Sequence, residues 1–313
     1  MIMNIPITQS EAWHKLQEDL GEVSFIKKDQ NYSYLAILKH TPTGKYLYCP
    51  YGPCYDGKRG FQQSLDSLTE LASEHQAIFI RIEPRDPSFT TYAPKNTKKS
   101  KDLNPKETWL LSLEGSEEEL KAKLPSRLTR YYKSAPKKGI TIEASRNPDD
   151  ICHLIALQEA LAKEKGIGIF SEKYLKTELS QPFATLYLVK YDDPETGKQE
   201  IVAAGLVFDD ETTRYNLQGA QSDQGRKLHA TGILTIQLIL DAKAKNLKIF
   251  DFWGIAPEGA PSTHPWAGFT NFKKTFQGYE QDYAGTYDIV LKPAKYKLYQ
   301  STRKLNRLIR RTK

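Results

Sequence analysis

The sequence predicts an α+β fold made of two tandem domains, each with a mixed central sheet. Strand–helix–strand order runs through residues 33–84 and returns after residue 140. A hairpin series spans 184–221, and a long apolar helix then leads into one more strand. At 313 residues the chain is long for one core and suits two.

Each element has a local signal. SEAWHKLQEDL (10–20) reads as a helix, and SYLAILK (33–39) and KYLYC (45–49) as strands joined by the turn TPTG. Phe61, Leu65, Leu68 and Leu71 recur at helical spacing, and AIFIRIEP (77–84) follows as a buried strand. The proline-rich, basic stretch 84–107 reads as a loop before the strand TWLLSL (108–113). ITIEAS (140–145) is a strand, and Asn147-Pro-Asp-Asp starts a helix. A second helix near 171–180 precedes the antiparallel strands ATLYLVKYDD, QEIVAAGLVFDD and TTRYNLQGAQ. LHATGILTIQLILDAKAKN (228–246) is the apolar helix and KIFDFWG the strand after it. Helix, three antiparallel strands, helix, strand is the order of an acetyltransferase-type (GNAT-like) domain. The predicted domains are 1–139 with a returning segment 284–313, and 140–283.

Composition excludes several classes. Hydrophobic residues are 39% and charged residues 27%, as in a globular protein. No stretch reaches the roughly 18 apolar residues of a membrane span, and the start lacks a signal pattern, so a cytosolic protein is expected. Cys49, Cys54 and Cys152 form no CxxC pair and read as small buried thiols. The six histidines sit singly, so no metal is predicted, and no cofactor either.

The net charge of +7 is local: residues 292–313 carry nine Lys or Arg and no acid, leaving the rest slightly acidic. Leu298, Leu305, Leu308 and Ile309 give this tail an apolar helical stripe. Its basic face is either plainly solvated or meets anionic lipid or RNA, with peripheral contact at the inner face of a membrane as one expectation. Residues 115–139 run from Glu117–Glu119 to Lys137 and Lys138, a charge order that a helix dipole rewards. Arg127, Arg130 and Lys133, with Tyr131 and Tyr132 between, equally form a strip able to face phosphates.

The chemistry begins with what is missing. An acetyl-CoA enzyme of this fold opens its central helix on a glycine-rich loop whose amides hold pyrophosphate. Here that stretch is GRKLHATGIL, with His229 where a glycine is expected. GxSxG, P-loop and GxGxxG patterns are absent too. Without a nucleophile or metal, an enzyme needs an activated donor such as an ester, with positioning and oxyanion stabilisation supplying most of the acceleration. Residues 251–279, DFWGIAPEGAPSTHPWAGFTNFKKTFQGY, wrap aromatics around Lys273 and Lys274 and suit that second role.

Asp251 to Asp288, with DFWGI, then Phe272-Lys273-Lys274-Thr275-Phe276, then Tyr283 to Asp288, resembles the C-terminal signature of the FemABX family of peptidoglycan-bridge aminoacyltransferases. RYYKSAPKKGITIE is similar to that family's basic segment and IRIEPR to its strand ending L-R-x-D-P. The resemblance implies transfer of an amino acid from aminoacyl-tRNA onto a stem-peptide amine of UDP-MurNAc-pentapeptide or lipid II. It also implies that the C-terminal segment returns to the first domain. The protein is expected to act as a monomer.

By the same resemblance Lys273 is the catalytic lysine, beside Phe272. Lys15, in Trp13-His14-Lys15, falls on a nucleotide-phosphate contact, and Glu83 on the acidic residue of the L-R-x-D-P strand. Phe170 stands where such enzymes have a second phosphate-binding arginine, and the long paired-helix arm of some members is missing. From pattern alone, Arg81 and Glu83 share a strand face, where Arg81 makes either a buried ion pair or a substrate contact. Tyr215 and Gly219 line the cleft, or Tyr215 is simply packed. The acceptor amine, with an ordinary pKa of about 10.4, is well under about 0.1% nucleophilic at pH 7, so Glu83, Asp251 or a substrate phosphate must take its proton.

Overall fold

The computed structural model describes residues 5–165, 168–264 and 266–311. The chain divides into two compact units, residues 1–106 with 282–313, and residues 107–281.

The first unit opens on α1 (Glu11–Asp19), where Ser10 caps the helix by accepting from the Trp13 amide at 3.2 Å. β1 (Val23–Lys28), β2 (Tyr32–Thr41) and β3 (Gly44–Cys49) form an antiparallel meander, and the two-residue β4 (Cys54–Tyr55) pairs with β2. α2 (Gly57–Glu74) buries Phe61, Leu65 and Leu68. It returns the chain to β5 (Phe79–Ile82), parallel to β3. The helical spacing of those apolar residues makes the crossover, and continuous burial along β5 makes it a central strand. The loop expected over 84–107 holds one more short strand, β6 (Thr97–Lys99).

The second unit starts at β7 (Glu107–Ser112). α3 (Glu117–Lys123) is fixed by a capping box between Ser116 and Glu119, and α4 (Ser126–Ser134) follows. Next come β8 (Ile140–Ser145), α5 (Ile151–Lys165) and α6 (Glu172–Leu179). The antiparallel run is β9 (Ala184–Asp192), β10 (Gln199–Asp209) and β11 (Thr213–Gln221). Then come α7 (Asp223–Lys227), α8 (Ala230–Ala244), β12 (Ile249–Gly254), α9 (Ala267–Lys273) and β13 (Tyr279–Asp282). The sheet order is β13-β7-β12-β11-β10-β9-β8, and β11–β12 is a parallel pair. α8 is buried through most of its length, as its apolar composition requires, and α4 packs on it closely. A Cβ at Gly232 would meet Leu128 Cδ2 at 2.6 Å, so a larger residue there would force the Leu128 side chain to shift.

The division therefore falls between Lys106 and Glu107, not at 139/140. β7 pairs with β12, and Leu120, Leu124 and Leu128 enter the core under that sheet, which carries 107–139 into the second unit. A strand's local pattern does not say which sheet it joins.

The chain then returns to the first unit through β14 (Tyr287–Val290), which inserts antiparallel between β5 and β6. α10 (Pro293–Arg311) follows and buries Tyr296 and Tyr299 against Phe79. Leu298 of the expected leucine stripe is 57% exposed, and the buried side chains among the described residues of α10 are these tyrosines. The side chains of Leu305, Leu308 and Ile309, part of that expectation, lie outside the described residues, as do Gly166 and Ile167 of the GIGIF stretch and Pro265. Two mixed sheets with helices on their faces give the predicted α+β architecture. Of the cysteines only Cys49 is fully buried, and Cys152 is exposed. No described helix is long and apolar enough to cross a membrane.

Candidate active site

The site begins where β12 leaves its neighbours. β11 and β12 pair over Thr213–Tyr215 and Ile249–Asp251, and beyond that β11 runs on to Gln221 paired with β10 on its other side. On the other side, the register with β7 shifts between Asp251 and Gly254. Trp253 sits in this irregularity with φ +65°, a conformation that costs an aromatic residue about 1 kcal/mol or more. Asp251, 4% exposed, holds the kink by accepting from the Thr108 hydroxyl and from the Trp253 amide at 2.7 Å.

A bulge turns carbonyls away from the ladder, and buried carbonyls need donors. Lys273 supplies them: its Nζ donates to Trp253 O at 3.3 Å and to Gly254 O at 2.6 Å. α9 is anchored to deliver it. Thr270 Oγ1 accepts from the Ala256 amide and donates to Trp266 O, both at 2.8 Å. Phe276 is fully buried against Phe252 and Phe272, and Trp109 Nε1 donates to its carbonyl at 3.2 Å.

The lysine pair is thereby split. Lys274 points out, pairing with Glu280 at 3.1 Å and lying over the Trp109 ring. Lys273 points in, and burial lowers its pKa to about 8 while the charge of Asp251 pulls the other way. At pH 7 it is still mostly an ammonium. Two of its three N–H groups hold the kink, leaving one to meet charge that develops on a bound substrate.

Of the residues expected at the site, the structure brings three together. Phe272 and Lys273 are consecutive on α9, and Tyr215 meets Trp253 edge to face with centroids 6.3 Å apart. The Tyr215 hydroxyl donates to Asp210 at 2.7 Å and its side chain is buried, so it walls the site from within its packing. Trp266 and Phe269, which the spacing of α9 places around the lysine, are 41% and 47% exposed.

Others lie elsewhere. Arg127, Arg130 and Lys133 are exposed on α4, with no acidic partner among the described residues. In the first unit, Lys15 is exposed and bonded to Asp19 at 2.7 Å, which raises its pKa. Arg81 is corrected from substrate contact to the structural alternative. It is 2% exposed and donates through Nε and Nη2 to both oxygens of Asp288 at 2.7 and 2.8 Å. Burial works against its charge, and Asp288 outweighs burial. Glu83 is also consumed: its carboxylate accepts from Tyr48 Oη, Asn104 N and Nδ2, Thr286 Oγ1 and the Tyr51 amide. A carboxylate so fully occupied and 3% exposed ties these segments together, its oxygens already taken by donors of the fold.

Sequence reasoning missed the Trp253 backbone and the Thr108 contact, for which DFWG and TWLL give no local signal. It did not miss His229. That residue caps α8 at φ +57° with its ring stacked on Tyr131 at 4.3 Å, and Gln221 Oε1 takes the Thr231 amide. At the helix start that would cradle a pyrophosphate, the Thr231 amide is thus already taken by a side chain. Among the described residues no group of His, Cys, Asp and Glu is placed to hold a metal ion.

Residues 177–304, which contain β12 and α9, match the model of the FemAB family. The fold is similar to the crystal structure of FemX, with a TM-score of 0.81 at 17% identity, covering 95% of each chain. It also resembles a C-terminal domain (DUF2156) from Agrobacterium fabrum described as a lysylphosphatidylglycerol synthetase, with a TM-score of 0.61 at 17% identity over 96% of this chain and 94% of that one. L-PGS from Bacillus licheniformis gives 0.59 at 15% identity, over 98% and 99%. No curated protein sequence matches. At these identities the structures establish the fold, and the family match supports an acyl- or aminoacyltransferase. The FemAB match over residues 177–304, on a fold shared with FemX, supports membership of the FemAB family.

Proposed function

We propose that the protein moves an aminoacyl group from aminoacyl-tRNA to a stem-peptide amine of a peptidoglycan precursor, UDP-MurNAc-pentapeptide or lipid II. The observation that carries this reading is the inward ammonium of Lys273, held on the Trp253 and Gly254 carbonyls. An aminoacyl ester is already activated, so its aminolysis needs alignment and a stabilised oxyanion more than a nucleophilic side chain. In the reaction the amine nitrogen attacks the ester carbonyl, and the oxyanion gathers charge beside Lys273. Collapse breaks the ester bond and releases the tRNA 3′ hydroxyl, and the amine proton leaves to a base or solvent.

His229 in place of glycine at the start of α8, with the Thr231 amide taken by Gln221, disfavours acyl-CoA as donor. Exposed Arg127, Arg130 and Lys133 suit the phosphates of a tRNA acceptor strand, and Lys15 a phosphate of the precursor. The basic α10 suits a cytosolic protein working near an anionic membrane. Incubation with a pool of charged tRNAs and each precursor, with product masses read out, tests the proposal. One or more aminoacyl increments on a precursor is the expected result. Unmodified precursors together with micromolar CoA binding would replace this donor by acyl-CoA.

A further inference from the structure

The second unit holds a buried carboxylate that the chemistry above leaves unused. Glu178, in the last turn of α6, is 3% exposed. It accepts from Gln218 Nε2 at 3.3 Å and from the Tyr174 hydroxyl, and no cation pairs with it among the described residues. Gln218 in turn accepts from Gln158 Nε2 at 3.0 Å. Donation therefore runs one way, from Gln158 through Gln218 to Glu178, the polarity that suits an ionised carboxylate. Burial opposes ionisation and raises the Glu178 pKa to about 8. At the far end of the chain, Gln158 Oε1 is buried without a hydrogen-bond donor.

One buried acceptor, Gln158 Oε1, thus lacks a donor, and one latent negative charge lacks a counter-charge. A neutral hydroxyl would satisfy one acceptor and leave the charge unbalanced. A primary ammonium brings three donors and one positive charge. Gln158, Gln218 and Tyr174 are partly exposed while Glu178 lies beneath, so approach is from the Gln158–Gln218 side. Phe170, 53% exposed and stacked on Tyr174 at 4.8 Å, offers an apolar wall for methylenes. The position also fits: Gln218 is on the stretch of β11 that β12 leaves unpaired, three residues beyond Tyr215, or about 10 Å along a strand.

We propose that Gln158, Gln218 and Glu178 form a subsite for a primary ammonium group on an aliphatic stem. Which substrate carries it rests on the aminoacyl-transfer reading: the α-ammonium of the donor, or the side-chain ammonium of the acceptor. The side-chain amide resonances of Gln158 and Gln218 in the full ¹⁵N-labelled chain provide the readout. The probes are n-butylamine, standing for the acceptor, and L-alanine methyl ester, standing for the donor, with 1-butanol and methyl lactate as neutral counterparts. Saturable shifts from an ammonium probe, absent with its neutral counterpart and weakened at least about tenfold in Glu178→Gln, are expected. The better probe identifies the source. No shift with either amine, equal shifts with the neutral compounds, or unchanged binding in Glu178→Gln would overturn the subsite. Should Glu178→Gln not fold, Gln158→Met at the rim must weaken binding at least about threefold, and unchanged binding there rejects the idea equally. Transfer by Glu178→Gln with unchanged KM for both substrates would remove the subsite and leave aminoacyl transfer standing. Ammonium binding without transfer would do the reverse.

Discussion

Two inward-facing cations show how differently a fold can treat one charge. In the first unit, Arg81 meets Asp288 in a bidentate pair, with the Tyr299 hydroxyl at 3.5 Å and the rings of Tyr46 and Phe79 on its faces. In the second, Lys273 donates to two backbone carbonyls, and burial takes its pKa to about 8 against the pull of Asp251. The first charge is neutralised within the architecture, joining β14 to β5 across the sheet. The second has the charge of Asp251 nearby, which offsets its burial only in part, and this is costly for stability and useful for chemistry.

The largest effect should come from breaking the neutralised corner. Arg81→Ala leaves Asp288 buried without its counter-charge and should cost about 3–5 kcal/mol of stability in a urea titration. If the loss is below about 1 kcal/mol, Arg81 is not the structural half of the comparison.

A smaller effect tests the second corner through pH. The native Lys273 pKa is about 8, against roughly 10.5 in an unfolded chain, so between these values the unfolded state binds more protons. Stability should therefore rise from pH 8 to 10 relative to Lys273→Met, by on the order of 2 kcal/mol given that the side chain is part-exposed. Parallel pH profiles in thermal melts of the two proteins would mean that Lys273 carries an ordinary charge. The smallest effect belongs to an exposed cation: Lys15→Ala should leave stability essentially unchanged, although it removes the pair with Asp19. Its signature would be a raised KM for the phosphate-bearing precursor with kcat unchanged.

The same contrast explains what was legible in the sequence. Apolar spacing along α2, composition along α8 and alternation through β9–β11 state their own burial, so the repeated sheet plan could be read directly. Pairing across 207 positions, as between Arg81 and Asp288, has no local trace, and Arg81 could only be left between two roles. β7 was readable as a strand but not as a member of the second sheet, which moved the division by some thirty residues. Lys273 stood out because Phe272 and Phe276 surround it, whereas Glu178 looks like any acidic residue near a helix end until Gln218 is found above it.

Single-turnover transfer from charged tRNA by Lys273→Met, beside a thermal melt, bears most directly on the inward ammonium. Loss of an oxyanion-stabilising donor should slow transfer about 10²–10³-fold while the melt stays cooperative. Transfer at the wild-type rate by a folded Lys273→Met protein would show that the charge held on Trp253 and Gly254 serves only to close the bulge.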